Sequence, residues 1–228
     1  MITLQISTNG GIELRSEDRS PSVYLDHWAF RRISEDQQLR KSFIESLKET
    51  DGTLCVSWLN CIEFAKVNIT QKKLAESFLD DVLPNVVFIE SAPFVVIDRE
   101  NSLIRGGCQI PPHIDAEFGK VLLIGPPYSV KPLSADQLFQ FTASQELLPD
   151  CKSLAKTIIQ RVKKMRGEVA SDKKLENRVN TFVHRDVVQR GTLQLIREML
   201  RGLLKNRKVK MTENHAFDLM HTVVPVSY

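Results

Sequence analysis

Short apolar runs alternate with helical segments over the first 100 residues, and this alternation constrains the fold most. The runs cover residues 22–26, 53–59 and 86–89, and their β-branched and aromatic side chains are typical of buried strands. The segments between them carry apolar residues at helical spacing. Because strands that alternate with helices pair in parallel, we predict an α/β fold with a central parallel sheet and helices on both faces. Residues 94–97 are a candidate fourth strand.

The flanking parts of the chain have a different texture. Residues 1–20 predict a short strand or hairpin followed by a loop, and the Gly- and Pro-rich stretch 105–133 predicts a long loop. Two stripes of apolar residues, within 154–165 and 195–204, predict helices. The polar residues 167–180 between these stripes predict a turn or a frayed segment.

These observations predict two structural parts. Residues 1–104 together with 209–228 form the α/β core, and residues 105–208 form a mainly helical, basic insertion that returns the chain to the sheet near Val209.

Composition indicates a folded cytoplasmic protein. The chain has 228 residues, of which 42% are hydrophobic and 26% charged, as in ordinary globular domains. It contains no apolar stretch of roughly 18 residues that could span a bilayer, and its start lacks the pattern of a signal peptide. The four cysteines are scattered, and Cys55 and Cys61 lie in apolar surroundings. We therefore expect reduced thiols, a cytoplasmic location and no membrane partner.

The net charge of +3 conceals an asymmetry. Residues 152–210 hold 17 Lys or Arg against 5 Asp or Glu, whereas the rest of the chain holds 14 basic and 23 acidic residues. A basic segment beside an acidic body suits a protein that acts on nucleic acid, because cations neutralise phosphates while carboxylates hold metal. A basic helical surface that is merely solvated is the alternative explanation.

Three acidic residues stand where an active site is expected. Asp26 ends the first apolar run, Glu63 follows the second, and Asp218 lies near the C-terminus. Ligands of α/β proteins bind at the carboxyl ends of parallel strands, and convergent carboxylates suit Mg²⁺ or Mn²⁺. Each residue also has a structural alternative: Asp26 as a helix cap, Glu63 in the first turn of a helix capped by Asn60, and Asp218 on a solvated face.

These residues carry a family resemblance. The run Val23-Tyr24-Leu25-Asp26-His27, the later Glu63 and the spacing Asn214-(x)3-Asp218-(x)2-His221-(x)3-Pro225 resemble a PIN-like (PIN domain) nuclease. The resemblance covers roughly residues 20–100 and 209–228. It implies a three-layer PIN-like α/β core.

The resemblance also implies an activity. Asp26, Glu63 and Asp218 would be the catalytic carboxylates and hold Mg²⁺ or Mn²⁺, and the protein would be an endonuclease that hydrolyses phosphodiester bonds, in RNA more than in DNA. Auxiliary site residues would be Glu213, Asn214 and His221. The expected partner is RNA or single-stranded nucleic acid, bound by Arg31, Lys163, Lys164, Arg166, Arg207 and Lys208.

The C-terminus motivates a second hypothesis. PIN-like domains usually continue into a strand with a further Asp, so a chain that stops at Tyr228 is expected to lack that acidic ligand, either as a truncated domain or with Tyr228 as its native end. The second hypothesis is therefore a catalytically degenerate PIN-like module that binds nucleic acid or protein. An uncovered sheet edge would also favour homo-oligomers.

Overall fold

The computed structural model describes residues 2–6, 12–16, 19–106, 114–115, 147–181, 191–206 and 208–222. These residues form two compact units. The first lies within residues 1–90 and 113–147 and is called the sheet unit. The second lies within residues 91–112 and 148–228 and is called the helical unit.

The sheet unit contains a parallel sheet of three strands. They are β3 (Ser22–Tyr24), β4 (Thr53–Ser57) and β5 (Val86–Ile89), in the order β3-β4-β5. The register pairs Tyr24 with Cys55 and Ser57 with Ile89, so all three strands end at the same edge. The α/β class and the parallel sheet are thereby confirmed for the described residues.

A separate hairpin precedes this sheet. Strands β1 (Ile2–Ile6) and β2 (Ile12–Ser16) pair antiparallel, with Leu4 opposite Leu14. The predicted N-terminal hairpin is confirmed.

Helices make up most of the remaining described chain. They are α1 (His27–Glu35), α2 (Gln37–Glu49), α3 (Trp58–Ala65), α4 (Ile69–Val82), α5 (Pro93–Ile104), α6 (Leu147–Ser171), α7 (Lys173–Thr181), α8 (Gly191–Lys205) and α9 (Glu213–Thr222). Polar caps define several of the starts. Asp36 accepts hydrogen bonds from the first turn of α2, and Asn68 accepts one from Gln71 in α4.

Helices α1 to α4 pack one face of the sheet. Phe30 of α1 lies between Phe64 and Phe78, with ring centroids 4.7 and 5.0 Å away. Leu54 and Phe88 extend from the strands into the same buried cluster. Residues on the opposite face of β4 and β5 are buried as well, as the continuous apolar runs predict for a parallel sheet.

The helical unit is held by apolar contacts and by a buried polar contact. Val96 of α5 and Ile196 of α8 form a small buried cluster. The Glu100 carboxylate accepts a hydrogen bond of 2.9 Å from the backbone N–H of Thr192, in the first turn of α8. A negative group at this position favours the helix, because the helix dipole is positive there.

Two local predictions are wrong. Residues 94–97 lie in α5 and not in a strand. Proline favours the first turn of a helix, so Pro93 starts one here, and Val96 lies on its buried side. Residues 167–180 are almost wholly helical: α6 continues to Ser171, and α7 begins at Lys173 after Asp172, whose carboxylate accepts from its first turn.

The predicted domain division stays a prediction. Within the described residues 208–222 no strand forms, and α9 groups with the helical unit. Most of the expected loop over 105–133 lies outside the described residues. One part of it is described: Ile114 forms an antiparallel bridge with Ile89 at the edge of β5.

No helix in the described ranges is both long and apolar enough to cross a membrane.

Candidate functional site

The carboxyl edge of the parallel sheet begins with Asp26, two residues after β3. Asp26 is the N-cap of α1, and its Oδ1 accepts a hydrogen bond of 2.8 Å from the backbone N–H of Ala29. The structural alternative for this residue is therefore confirmed. The side chain is exposed, and the cap bond occupies Oδ1. The predicted role of Asp26 as a metal ligand stays a prediction.

A capping box positions the helix that follows β4. Ser57 is the N-cap of α3, and Asn60 is the third residue of the helix. The Asn60 Oδ1 accepts from the Ser57 N–H at 2.9 Å, and the Asn60 Nδ2 donates to the Leu25 carbonyl at 3.0 Å. The prediction that Asn60 is the cap is wrong. Its buried side chain instead joins the start of α3 to the end of β3.

Glu63 lies in the second turn of α3 and not in the first, so the dipole explanation does not apply to it. Its Oε2 is 3.9 Å from the His27 Nδ1, and the His27 ring packs on Phe64 with centroids 4.8 Å apart. The Glu63 side chain is about one quarter exposed. The structure thus brings Glu63 next to the residue that follows Asp26.

The pKa of the Tyr24 hydroxyl depends on the charges at this edge. The Ser57 hydroxyl donates to the Asn60 Oδ1 at 3.1 Å, so the Tyr24 hydroxyl, 3.3 Å from Ser57 Oγ, is the donor of that pair. Burial raises the pKa of Tyr24 well above its usual range, and the negative charges of Glu63 and Asp26 raise it further. Both carboxylates therefore contribute to the raised pKa of one partly buried hydroxyl.

Glu90 is a site candidate that the sequence analysis missed. It directly follows β5 and is buried, and its Oε1 accepts from the Trp58 Nε1 at 3.4 Å. The available signal was an acidic residue immediately after the apolar run 86–89, the same signal that identified Asp26. All three parallel strands are therefore followed by an acidic residue near one edge: Asp26, Glu63 and Glu90.

The third predicted carboxylate belongs to the helical unit. Asp218 is exposed on α9, as are Glu213 and Asn214, whereas His221 is partly buried. The opposite side of the helix buries Ala216, Leu219 and Met220. Whether Asp218 joins Asp26 and Glu63 stays a prediction.

The predicted nucleic-acid-binding residues differ in environment. Lys163, Lys164 and Lys208 are exposed, and Lys164 lies 3.9 Å from Glu168. Arg31 is exposed and pairs with Glu35 at 3.3 Å. Arg207 lies outside the described residues.

Arg166 has a clear structural role. Its guanidinium donates to the backbone carbonyls of Leu203, Asn206 and Val209 at distances of 2.7 to 3.2 Å. These bonds close the C-terminal end of α8, where carbonyl groups lack partners inside the helix. Most of its donors are thus occupied, and its contact with nucleic acid stays a prediction.

The donor set can be tested against a divalent cation. Among the described residues, no group of three or more His, Cys, Asp or Glu side chains is gathered closely enough to hold a metal ion. Mg²⁺, however, keeps several waters and is often bound by one or two carboxylates together with substrate phosphate. Asp26, which is exposed, and Glu63, which lies 3.9 Å from the neighbouring His27, are two carboxylates of that kind, and their binding of a cation stays a prediction.

Comparisons of the chain with family models, with curated proteins and with solved structures give no match.

Proposed function

We propose that this protein is a metal-dependent endonuclease of the PIN-like type, acting on RNA. The observation that carries the proposal is the placement of Asp26 and Glu63 near the carboxyl edge of a parallel sheet: Asp26 caps the helix after β3, and Glu63 lies 3.9 Å from His27, the residue next to Asp26. A cation near this edge would be attracted by both negative charges, the exposed Asp26 carboxylate and the one-quarter-exposed Glu63 carboxylate. The PIN-like resemblance of these same positions supports the proposal.

Asp26 and Glu63 would hold Mg²⁺ or Mn²⁺, and Asp218 stays the predicted third ligand. When bound, the cation lowers the pKa of a coordinated water and offsets the charge of the phosphodiester. Asn60 would help to position the two carboxylates, because its side chain holds the backbone before Asp26 against the start of the helix that carries Glu63. Tyr24 remains a neutral donor at ordinary pH, because its pKa is raised, and therefore adds no charge that would repel the phosphate.

The basic helices of the helical unit would bind the phosphates of the RNA. Exposed cations such as Lys163 and Lys164 give binding that depends strongly on salt and weakly on sequence.

Cleavage of single-stranded RNA by Asp26→Asn protein tests the proposal. Asparagine caps helices as well as aspartate, so the fold is expected to persist. We expect cleavage in Mn²⁺ to fall by about a hundredfold or more, since even residues that only support a ligand cost roughly 10- to 100-fold. RNA binding in EDTA should remain.

Asp36→Asn is the matched control. Asp36 is also an N-cap, on α2, but it does not follow a strand. Its replacement should leave cleavage unchanged. Full activity of Asp26→Asn, or equal losses in both variants, would contradict the proposal.

The second candidate function is a binding module without catalysis. It is favoured by the lack of a group of three ligating side chains among the described residues. Wild-type protein that binds RNA but shows no response to Mn²⁺ and no cleavage would support it.

A further inference from the structure

Trp28 exposes its indole beside the carboxylate edge. It lies in the first turn of α1, two residues after Asp26, and is 71% exposed. Trp58, the other tryptophan of the chain, is by contrast half-buried and bonded to Glu90. A large aromatic side chain left in solvent next to a candidate active site suggests a ligand that stacks on it.

The neighbours of Trp28 on α1 indicate what this ligand is. Residues three and four positions further along a helix share its face, and these are Arg31 and Arg32. Arg31 pairs with Glu35 through Nε at 3.3 Å, and Arg32 pairs with Asp36 through one terminal nitrogen at 3.6 Å. The side chains of Arg31 and Arg32 are 44% and 59% exposed, and each guanidinium carries more N–H donors than its ion pair uses.

A protein helix is a poor fit for this face. Helix docking relies on apolar residues repeated at positions i, i+3 and i+4, whereas here one indole is followed by two guanidinium groups. An aromatic ring flanked by arginines is instead the arrangement that binds single-stranded nucleic acid, in which bases stack and phosphates attract cations.

We propose that Trp28 is a stacking platform for an unpaired nucleobase, and that Arg31 and Arg32 contact the phosphates next to that base. The inference rests on the proposed function and deepens it, because it makes the substrate single-stranded at the carboxylate edge. A paired base in a duplex has no free face to offer to the indole, so duplex RNA should bind without using Trp28.

Binding of labelled oligouridylate in EDTA tests this proposal without requiring cleavage. We expect Trp28→Ala to weaken binding by roughly five- to a hundredfold, because stacking on an aromatic side chain is worth that much per base. Trp28→Phe should restore most of the affinity. The dependence of affinity on salt should stay the same in both variants, because no cation is lost.

Ile69→Ala is the matched control, since Ile69 is another strongly exposed apolar residue of the sheet unit, 66% exposed. It should bind like wild type. An abasic oligomer should bind wild type and Trp28→Ala equally, because it offers phosphates and no base.

Tryptophan emission gives a second readout. In a Trp58→Phe background, Trp28 is the one tryptophan left. Oligouridylate should quench it, and duplex RNA should not.

Two results would overturn the inference. The first is equal affinity of wild type and Trp28→Ala for oligouridylate. The second is a Trp28→Ala effect seen only on self-association in sedimentation, which would mean that the indole contacts a second copy of the chain. Cleavage that depends on Asp26 but not on Trp28 would refute this inference and leave the proposed function standing. Binding that depends on Trp28 without any cleavage would support this inference and contradict the proposed function.

Discussion

The sheet unit and the helical unit use charged side chains in different ways. In the sheet unit, Asp26 caps a helix and Glu63 lies against His27, and the buried side chain of Asn60 ties their supporting strands together. In the helical unit, Lys163 and Lys164 extend into solvent from α6. Groups that perform chemistry must be held in place, whereas groups that attract a phosphate backbone need only be nearby.

Arg166 is the exception within the helical unit. It has the charge of its neighbours but binds the backbone carbonyls of Leu203 and Asn206 at the end of α8 and that of Val209 in the segment that follows. The role of a cation in this basic segment therefore depends on what its side chain contacts and not on its position in the sequence.

Replacement of Arg166 should give the largest effect on stability. Arg166→Met leaves the carbonyls of α8 without their charged donor, and we expect a loss of about 3 kcal/mol in the free energy of unfolding, measured by urea titration. Arg166→Lys should recover less than half of it, because an ammonium lacks the fork that reaches several carbonyls. Lys163→Met on the same helix is the control and should be close to neutral. A change in Arg166→Met of under about 0.5 kcal/mol would break the distinction.

Asn60→Ala should have a somewhat smaller effect. It leaves the buried Leu25 carbonyl and the Ser57 N–H without their partner, which costs about 2 kcal/mol. Asn68→Ala removes an exposed N-cap asparagine and should cost about 1 kcal/mol. Asn60→Ala should also reduce cleavage beyond its effect on the folded fraction, since Asn60 joins the backbone before Asp26 to the start of the helix that carries Glu63. Equal losses of stability in Asn60→Ala and Asn68→Ala would mean that the buried Asn60 side chain stabilises the fold no more than an exposed N-cap does.

The double variant Lys163→Gln, Lys164→Gln should leave stability unchanged. Its affinity for single-stranded RNA should fall by about tenfold near physiological salt, and the slope of log affinity against log salt should decrease by about one to two. Filter binding over a range of salt concentrations measures both. An unchanged slope would show that these lysines are merely solvated, as the alternative explanation holds.

The sequence predicted the sheet well because β4 and β5 are buried on both faces and leave continuous apolar runs, as at residues 86–89. It misassigned residues 94–97, since Val95, Val96 and Ile97 favour strands locally while Pro93 and the packing of Val96 favour a helix. Local preference was overridden there by tertiary contacts.

The candidate site was predicted in part. Asp26 and Glu63 could be found because each follows an apolar run, and Glu90 follows the same rule but was overlooked. Ser57 is the N-cap of α3 in place of the predicted Asn60, because α3 begins three residues earlier than expected. Hydrophobic periodicity alone does not locate the first residue of a helix that closely. The bonds of Arg166 join residues about forty positions apart, which a single sequence does not encode locally.

Calorimetric titration of Mn²⁺ into RNA-free protein asks whether Asp26 and Glu63 hold a divalent cation. We expect wild type and Asp36→Asn to bind Mn²⁺ alike, and Asp26→Asn and Glu63→Gln each to bind it at least about tenfold more weakly. Wild-type protein that takes up no Mn²⁺, or affinities that do not differ between the four proteins, would contradict the proposed cation site.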